Sequence, residues 1–522
     1  MDVTRHSVIT LEFGSRIRDQ IEVMDAPGRR LIHDEGHTVH EEDWLAITIG
    51  TILIMFVLAL SVGQWLHHRH IYWLPESAAT ILIGLLFGLI VWYMDYEKEF
   101  PFFEQDVTPG LKNMLAFDPE FFTLFLLPPI IFEAGYSFRI YKRNLGRILI
   151  LALVGTIFAT AATWLGMHFL GRAGLMHELN VTESGQFAAL ISAVDPVATL
   201  SVFNALRVDP TLNNIVVGES VLNDAVALIA FRSISHYGVS LPDEASSVVL
   251  SFLMISACSV AIGVAVALLC AGFLRLLGMG RSGDLPHIEA CIFWAFAYGS
   301  FVCAEVPENS GIVAAMFCGI TMQRFAKPHL SAAAKLYVEH IIKLLCCICD
   351  TFIYLLVGMA LVLEVSWASD EGAGLAEEVQ MFVCVMGLCL VARLCHVFSL
   401  LGLCNLFTET KVPCNFQIVI WFGGLRGAIA VALATEVVGT NAHLVRACTM
   451  LIVVFTTFVF GGSTKCLLDA LKVPLGCSED DEDEDRGVRP LVAPADVTMT
   501  SSAGDGPRMS AESPSSGYVA VN

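Results

Sequence analysis

Residues 192–206 read SAVDPVATLSVFNAL, an apolar stretch of membrane-helix character that carries a carboxylate, Asp195, directly before Pro196. Proline lacks an N–H and its ring clashes with the preceding turn, so the carbonyl of Ser192 loses its helical partner beside the Asp195 carboxylate. A break near mid-membrane is expected. Lipid cannot satisfy such a carbonyl, so the backbone there must line a cavity or meet another helix. Freed carbonyls beside a carboxylate are hard oxygen ligands suited to a small cation.

A second interrupted segment, WFGGLRGAIAVAL, spans residues 421–433, where Gly423, Gly424 and Gly427 weaken the helix around Arg426, the only basic residue of that stretch. Between the two lies GESVLNDAVALIAF (218–231). It places Glu219, Asn223 and Asp224 within about two turns; Glu219 and Asn223 share a face, and Asp224 is rotated by about 100°. A carboxylate at the centre of a membrane helix costs about 2.5–3.5 kcal/mol, so each needs a partner, a proton or a water-filled cavity. The interrupted segments lie about seven spans apart, the separation that two inverted repeats of about six spans joined by one more would give. Paired broken helices mark the substrate site in such folds, and the pattern points to a transporter.

The composition agrees. Of 522 residues, 55% are hydrophobic and only 16% charged, against roughly 25% charged in soluble domains. With a mean hydropathy of +0.67, lipid is the main solvent and a soluble enzyme is excluded. The formal net charge of −21 excludes a nucleic-acid footprint. The cysteines all lie at or after Cys258, mostly inside apolar stretches, and read as small membrane-core residues rather than as a disulfide framework or a zinc site at Cys346, Cys347 and Cys349. Neither an HExxH nor a GxSxG motif occurs, so membrane proteolysis lacks its residues.

Three regions are expected: a loose polar tail over 1–43, a membrane body over 44–472, and a short acidic tail over 473–522 whose run Glu479 to Asp485 reads as disordered. The body is expected to be an all-α polytopic bundle of about 13 transmembrane helices. Arg69, Arg147, Arg207, Arg275, Lys335 and Lys411 fall in loops on one side, which is assigned to the cytosol. Asn180-Val181-Thr182 forms a possible glycosylation sequon on the other.

Structural readings compete at each site. Asp195, Glu219, Asp224 and Arg426 are alternatively a network of ion pairs that holds helices together. Glu133, Asp350 and Arg393 read as helix-end or packing groups, and Pro128-Pro129 is expected to kink its helix.

These motifs, with LPESAATILIGLLFG (74–88) and FFTLFLLPPIIFEAGYSF (121–138), resemble the eukaryotic sodium/proton exchangers of the cation/proton antiporter superfamily. The likeness runs from about Trp44 to Lys472, and the wording is closest to the Golgi and endosomal branch. It implies inverted repeats with crossing broken helices, a homodimer, and electroneutral exchange of one Na⁺ or K⁺ for one proton, with no cofactor. By motif, Asp224 is the aspartate where cation and proton compete, so Na⁺ or K⁺ would bind at Asp224. Asn223 is its neutral neighbour and Asp195 the aspartate at the fifth-helix break, with Ser192 oxygens alongside. Glu219 and Arg426 match the pair that forms a buried salt bridge. A Golgi or endosomal membrane is expected, with the plasma membrane as the alternative. No evident basic amphipathic helix follows the last span, so no calcineurin-B-like partner is expected there. Potassium/proton exchange is the main alternative activity; a cation channel or a non-transporting membrane scaffold are the readings from other classes.

Overall fold

The computed structural model describes residues 35–69, 71, 73–96, 122–138, 144–195, 197–237, 245–278, 285–364, 373–408 and 411–476. Every regular element among the described residues is helical. In lipid the backbone has no water to bond to, and the helix satisfies its own N–H and C=O groups within one segment.

In chain order the elements are α1 (Glu35–His68), α2 (Glu76–Tyr96), α3 (Phe122–Ser137) and α4 (Leu145–Arg172), then a broken helix α5a (Val181–Ser192) and α5b (Val197–Leu206). They continue with α6 (Pro210–Tyr237), α7 (Ala245–Leu277), α8 (Pro286–Glu305), α9 (Gly311–Phe325), α10 (Ala332–Glu364) and α11 (Ala373–Phe407). A second broken helix, α12a (Cys414–Phe422) and α12b (Ala428–Thr435), precedes α13 (Ala442–Ala470). Nine of these are long and apolar enough to cross a membrane; α3 and α9 are shorter apolar helices. Both breaks therefore fall where proline and glycine were expected to place them, although Pro196 itself lies outside the described residues.

Three differences concern boundaries and local geometry. The backbone is already helical from Glu35, within the stretch expected to be a loose tail. At the other end the chain stays docked through Gly476: Val473 is buried, the Asp209 amide donates to the Pro474 carbonyl and the Gly476 amide to that of Leu206. The acidic run Glu479 to Asp485 lies outside the described residues. Pro128 and Pro129 sit at the end of a π-helical turn, Phe122–Leu126, which widens the helix where two amide donors are missing.

Burial separates centre from perimeter. In its apolar window α6 is 72% buried, whereas α7 is 17% buried and presents Leu250, Leu253, Leu268 and Leu269 outward. Glu219, Asn223 and Asp224 thus lie on the most buried of the nine long helices. Around it, α2 and α10 cross in backbone-to-backbone contact: a Cβ at Gly84 would strike the Leu355 carbonyl, and one at Gly358 the Ile81 carbonyl. Small residues permit this approach, which is the usual currency of helix association in lipid.

Candidate cation site

The two breaks meet. The Asp195 amide donates to the Leu425 carbonyl at 2.9 Å, joining the interruption of α5 to that of α12. Only a residue without a side chain fits at Gly427, because a Cβ there would lie on the Asp195 carboxylate; a Cβ at Gly424 would lie on the Arg393 guanidinium. Gly423 is less constrained, its nearest neighbour being the Val419 carbonyl at 3.2 Å. Asp195 thereby sits at the N-terminal end of α12b, where aligned backbone dipoles favour negative charge.

The C-terminal ends of α5a and α12a, where the dipoles favour positive charge, each receive an arginine. Arg426 Nη1 donates to the Ser192 and Ala193 carbonyls at 3.1 and 2.8 Å, and Ser220 Oγ donates to the Val194 carbonyl at 2.9 Å. Arg393 Nε donates to the Trp421 carbonyl at 3.0 Å and its Nη2 to that of Ile420 at 2.8 Å. The same Arg393 holds Glu219, with Nη1 to Oε1 at 3.0 Å and Nη2 to Oε2 at 3.3 Å.

Two expectations are corrected by this arrangement. The carbonyls freed at the α5 break are not open cation ligands, because Arg426 and Ser220 occupy them. The ion pair of Glu219 is with Arg393 on α11 rather than with Arg426, whose guanidinium is spent on the broken backbone. Arg393, read from the sequence as a packing group, is thus part of the site's frame. Its signal was a lone arginine in the middle of an apolar run, the same signal that singled out Arg426. The Ser192 hydroxyl faces its own helix, donating to the Ala189 carbonyl at 2.7 Å and accepting from Thr160 Oγ1 at 2.9 Å.

What remains for a cation is carboxylate and amide oxygen. Asp224 accepts the Val194 amide and lies in electrostatic reach of Asp195 and Arg426. Its Oδ1 and the Oδ1 of Asn223 are buried with no hydrogen-bond partner among the described residues. Asp224 also borders a narrow crevice of about 20 Å³, walled by Ile131, Val313, Met316 and Ile429, which has room for roughly one water or a bare ion. An orphaned carboxylate oxygen beside such a crevice, with the Asn223 oxygen on the adjacent residue of the same helix, fits a small, hard cation, which takes oxygen ligands in flexible geometry. Asp195 accepts the Tyr354 hydroxyl at 2.8 Å, a contact from α10 that carried no sequence signal.

A family model described as "Sodium/hydrogen exchanger, transmembrane" matches residues 47–470. The chain belongs to the sodium/hydrogen exchanger family. It is 33% identical over 462 residues to "Sodium/hydrogen exchanger 5" of Arabidopsis thaliana, covering 87% of this chain and 84% of that one. It is 32% identical over 439 residues to "Sodium/hydrogen exchanger 8" of Rattus norvegicus, covering 82% and 73%. To "Sodium/hydrogen exchanger 1" of Dictyostelium discoideum it is 32% identical over 462 residues, covering 88% of this chain and spanning 63% of that protein. The fold is that of the sodium proton antiporter MjNhaP1 from Methanocaldococcus jannaschii, with a TM-score of 0.59 at 16% identity, over 82% of this chain and 99% of that one.

Further polar contacts of this family member tie helices together. Asn180 is exposed and caps α5a, its Oδ1 accepting the Val181 amide at 2.7 Å. Glu183 completes the capping box and also accepts the Asn441 amide and side chain at 3.2 and 2.9 Å, tying α5a to α13. Near the end of α6, Arg232 forms a bidentate pair with Glu305 at 3.1 and 2.8 Å and also donates to the Asn309 carbonyl at 2.7 Å.

Proposed function

We propose that this protein is an antiporter that exchanges Na⁺ or K⁺ for H⁺ at Asp224 by alternating access. The observation that carries this is the pair of buried oxygens without a partner among the described residues, Asn223 Oδ1 and Asp224 Oδ1, on the helix whose Ser220 and Glu219 are tied to the two helix breaks. A carboxylate in that position holds either a proton or a cation, and competition between them couples the two fluxes. Asp195, steadied by Tyr354 and by the end of α12b, adds the second charge against which Arg426 is balanced. Asn at 223 leaves one titratable group in the pair, so exchange is one for one and electroneutral.

Membership of the family supports a homodimer in a Golgi or endosomal membrane, where such exchange sets luminal pH and cytosolic sodium. The weakly buried α7 supplies an apolar face for lipid or for a second copy. The exposed Asn180 amide nitrogen is available for a glycan if its loop faces a lumen.

The test is cation-driven pH change in proteoliposomes, with Na⁺, K⁺ or choline stepped outside, for the native protein and Asp224→Asn. Native flux with Na⁺ or K⁺ that is absent in the variant supports the assignment, and cation preference is read from the same traces. Folded native protein without cation-dependent proton flux, or a variant that matches it, overturns it.

A further inference from the structure

The helices fall into two groups. α4–α6 and α11–α13 pack chiefly on one another around the two breaks, and α1–α3 pack with α7–α10. Access to Asp224 from alternate sides requires one such bundle to shift against the other, so bonds across the seam between them are broken and remade in each cycle.

Where α6 ends, the seam carries charge. Arg232 on α6 gives both Nη atoms to Glu305 at the end of α8, at 3.1 and 2.8 Å, and Nη1 also to the Asn309 carbonyl ahead of α9. Glu436, the residue after α12b, accepts the Thr123 hydroxyl of α3 at 3.0 Å. Arg232, Glu305, Asn309 and Glu436 line one cavity of about 680 Å³. Asp224 lies about 12 Å further in along α6. Its crevice is lined by Leu228, which is buried one turn short of Arg232, and among the described residues none lines both spaces. This end is therefore shut, and Arg232 bridges the seam at its mouth.

Each member of the pair has a second partner on its own bundle. Glu305 Oε1 also accepts the Gly311 amide at 3.0 Å, at the N-terminus of α9, where backbone dipoles favour a carboxylate. Arg232 lies in electrostatic reach of Glu436, and these two belong to the bundle that holds the breaks. A shift that takes Glu305 from Arg232 also takes Thr123 from Glu436. It releases a guanidinium and a carboxylate together in one cavity, and leaving that guanidinium without a carboxylate would penalise the shifted form.

We propose that Arg232 is a transferable latch, which holds the α6 end shut through Glu305 and passes to Glu436 when that end opens. The guanidinium keeps a carboxylate partner in both halves of the cycle. Arg232 touches neither transported ion; it is a positioning residue that acts through the populations of the two forms. The latch rests on the exchanger reading for its purpose, but the transfer is measurable without transport.

The reporter is Leu228→Cys in the full-length chain in detergent, labelled with a neutral hydroxyethyl methanethiosulfonate and followed from the mass of its peptide. A neutral reagent keeps a change of local charge from biasing the rate. Arg232→Gln and Glu305→Gln each raise the rate about fivefold, as loss of a partly exposed bidentate pair allows, and Arg232→Lys holds it within about twofold of the unlatched reporter's parent. Glu436→Gln retains an acceptor for Thr123 but not a charge for Arg232. In the Glu305→Gln chain it lowers the rate again by about threefold, and in the Arg232→Gln chain it changes nothing. Val313→Cys, in the wall of the same crevice, serves if Leu228→Cys does not fold.

Equal rates with and without Arg232 overturn the latch, and an effect of Glu436→Gln that survives the loss of Arg232 overturns the transfer. In transport, Arg232→Gln lowers the Na⁺ KM on the α6-end side about threefold and raises it on the other, a split that a merely structural pair would not produce. An unmoved KM on both sides also overturns the latch. Failure of the exchanger reading is a different result: native protein shows no cation-driven flux, whatever the labelling reports.

Discussion

Arg393 on α11 grips Glu219 on α6 through two parallel hydrogen bonds, at 3.0 and 3.3 Å, with both side chains almost wholly buried. The guanidinium also closes the carbonyl end of α12a, so one side chain neutralises a carboxylate and terminates a half-helix. Truncating either partner of a buried pair leaves an uncompensated charge, at a cost of about 3–5 kcal/mol. A double-mutant cycle in detergent unfolding is expected to give a Glu219–Arg393 coupling of about 2 kcal/mol and a Glu219–Arg426 coupling within about 0.5 kcal/mol. Equal couplings would mean that Arg426 shares the pair.

The glycines of the α12 break are predicted to separate sharply. Gly427→Ala forces a methyl group onto the Asp195 carboxylate and is expected to lower cation-driven flux by about tenfold or more, whereas Gly423→Ala keeps most of it. Flux per folded molecule, measured for both variants in the same preparation, decides the matter.

Tyr354→Phe removes the hydroxyl that Asp195 accepts and changes little else. A hydrogen bond to a charged acceptor contributes about 1.5–3 kcal/mol, so the cation KM should rise by about tenfold or more while the protein's melting temperature stays near native. An unchanged KM would show that the contact is dispensable for cation binding.

Asn223→Asp places a second carboxylate beside Asp224. Exchange should then carry net charge and respond to the membrane potential, each elementary charge being worth about 2.3 kcal/mol per 100 mV. Flux at a potential clamped with valinomycin would expose this; a variant as indifferent to voltage as the native protein would refute it.

Much of this was legible because membrane helices announce their exceptions. Pro196 and the glycines around Arg426 could not sit in unbroken helices, and carboxylates at 195, 219 and 224 could not sit in lipid without company. Which company they keep was not legible. Arg393 and Arg426 are both lone arginines in apolar runs, and only the packing of α11 against the end of α12a shows that the first meets Glu219 while the second meets backbone. Resemblance by motif assigned the pair to the wrong arginine for that reason. Tyr354 carried no signal, since hydroxyls are common on membrane helices and their roles depend on what the neighbouring helix leaves open.

The crossing of α2 and α10 has a mechanical consequence. With Gly84 and Gly358 letting the two backbones touch, these helices form a single stiff strut, too close-fitting to flex between its halves. The spacing of the strut is set by two hydrogen atoms where side chains would otherwise stand. A methyl group at either glycine would push the two backbones apart, and the strut would lose the contact that stiffens it.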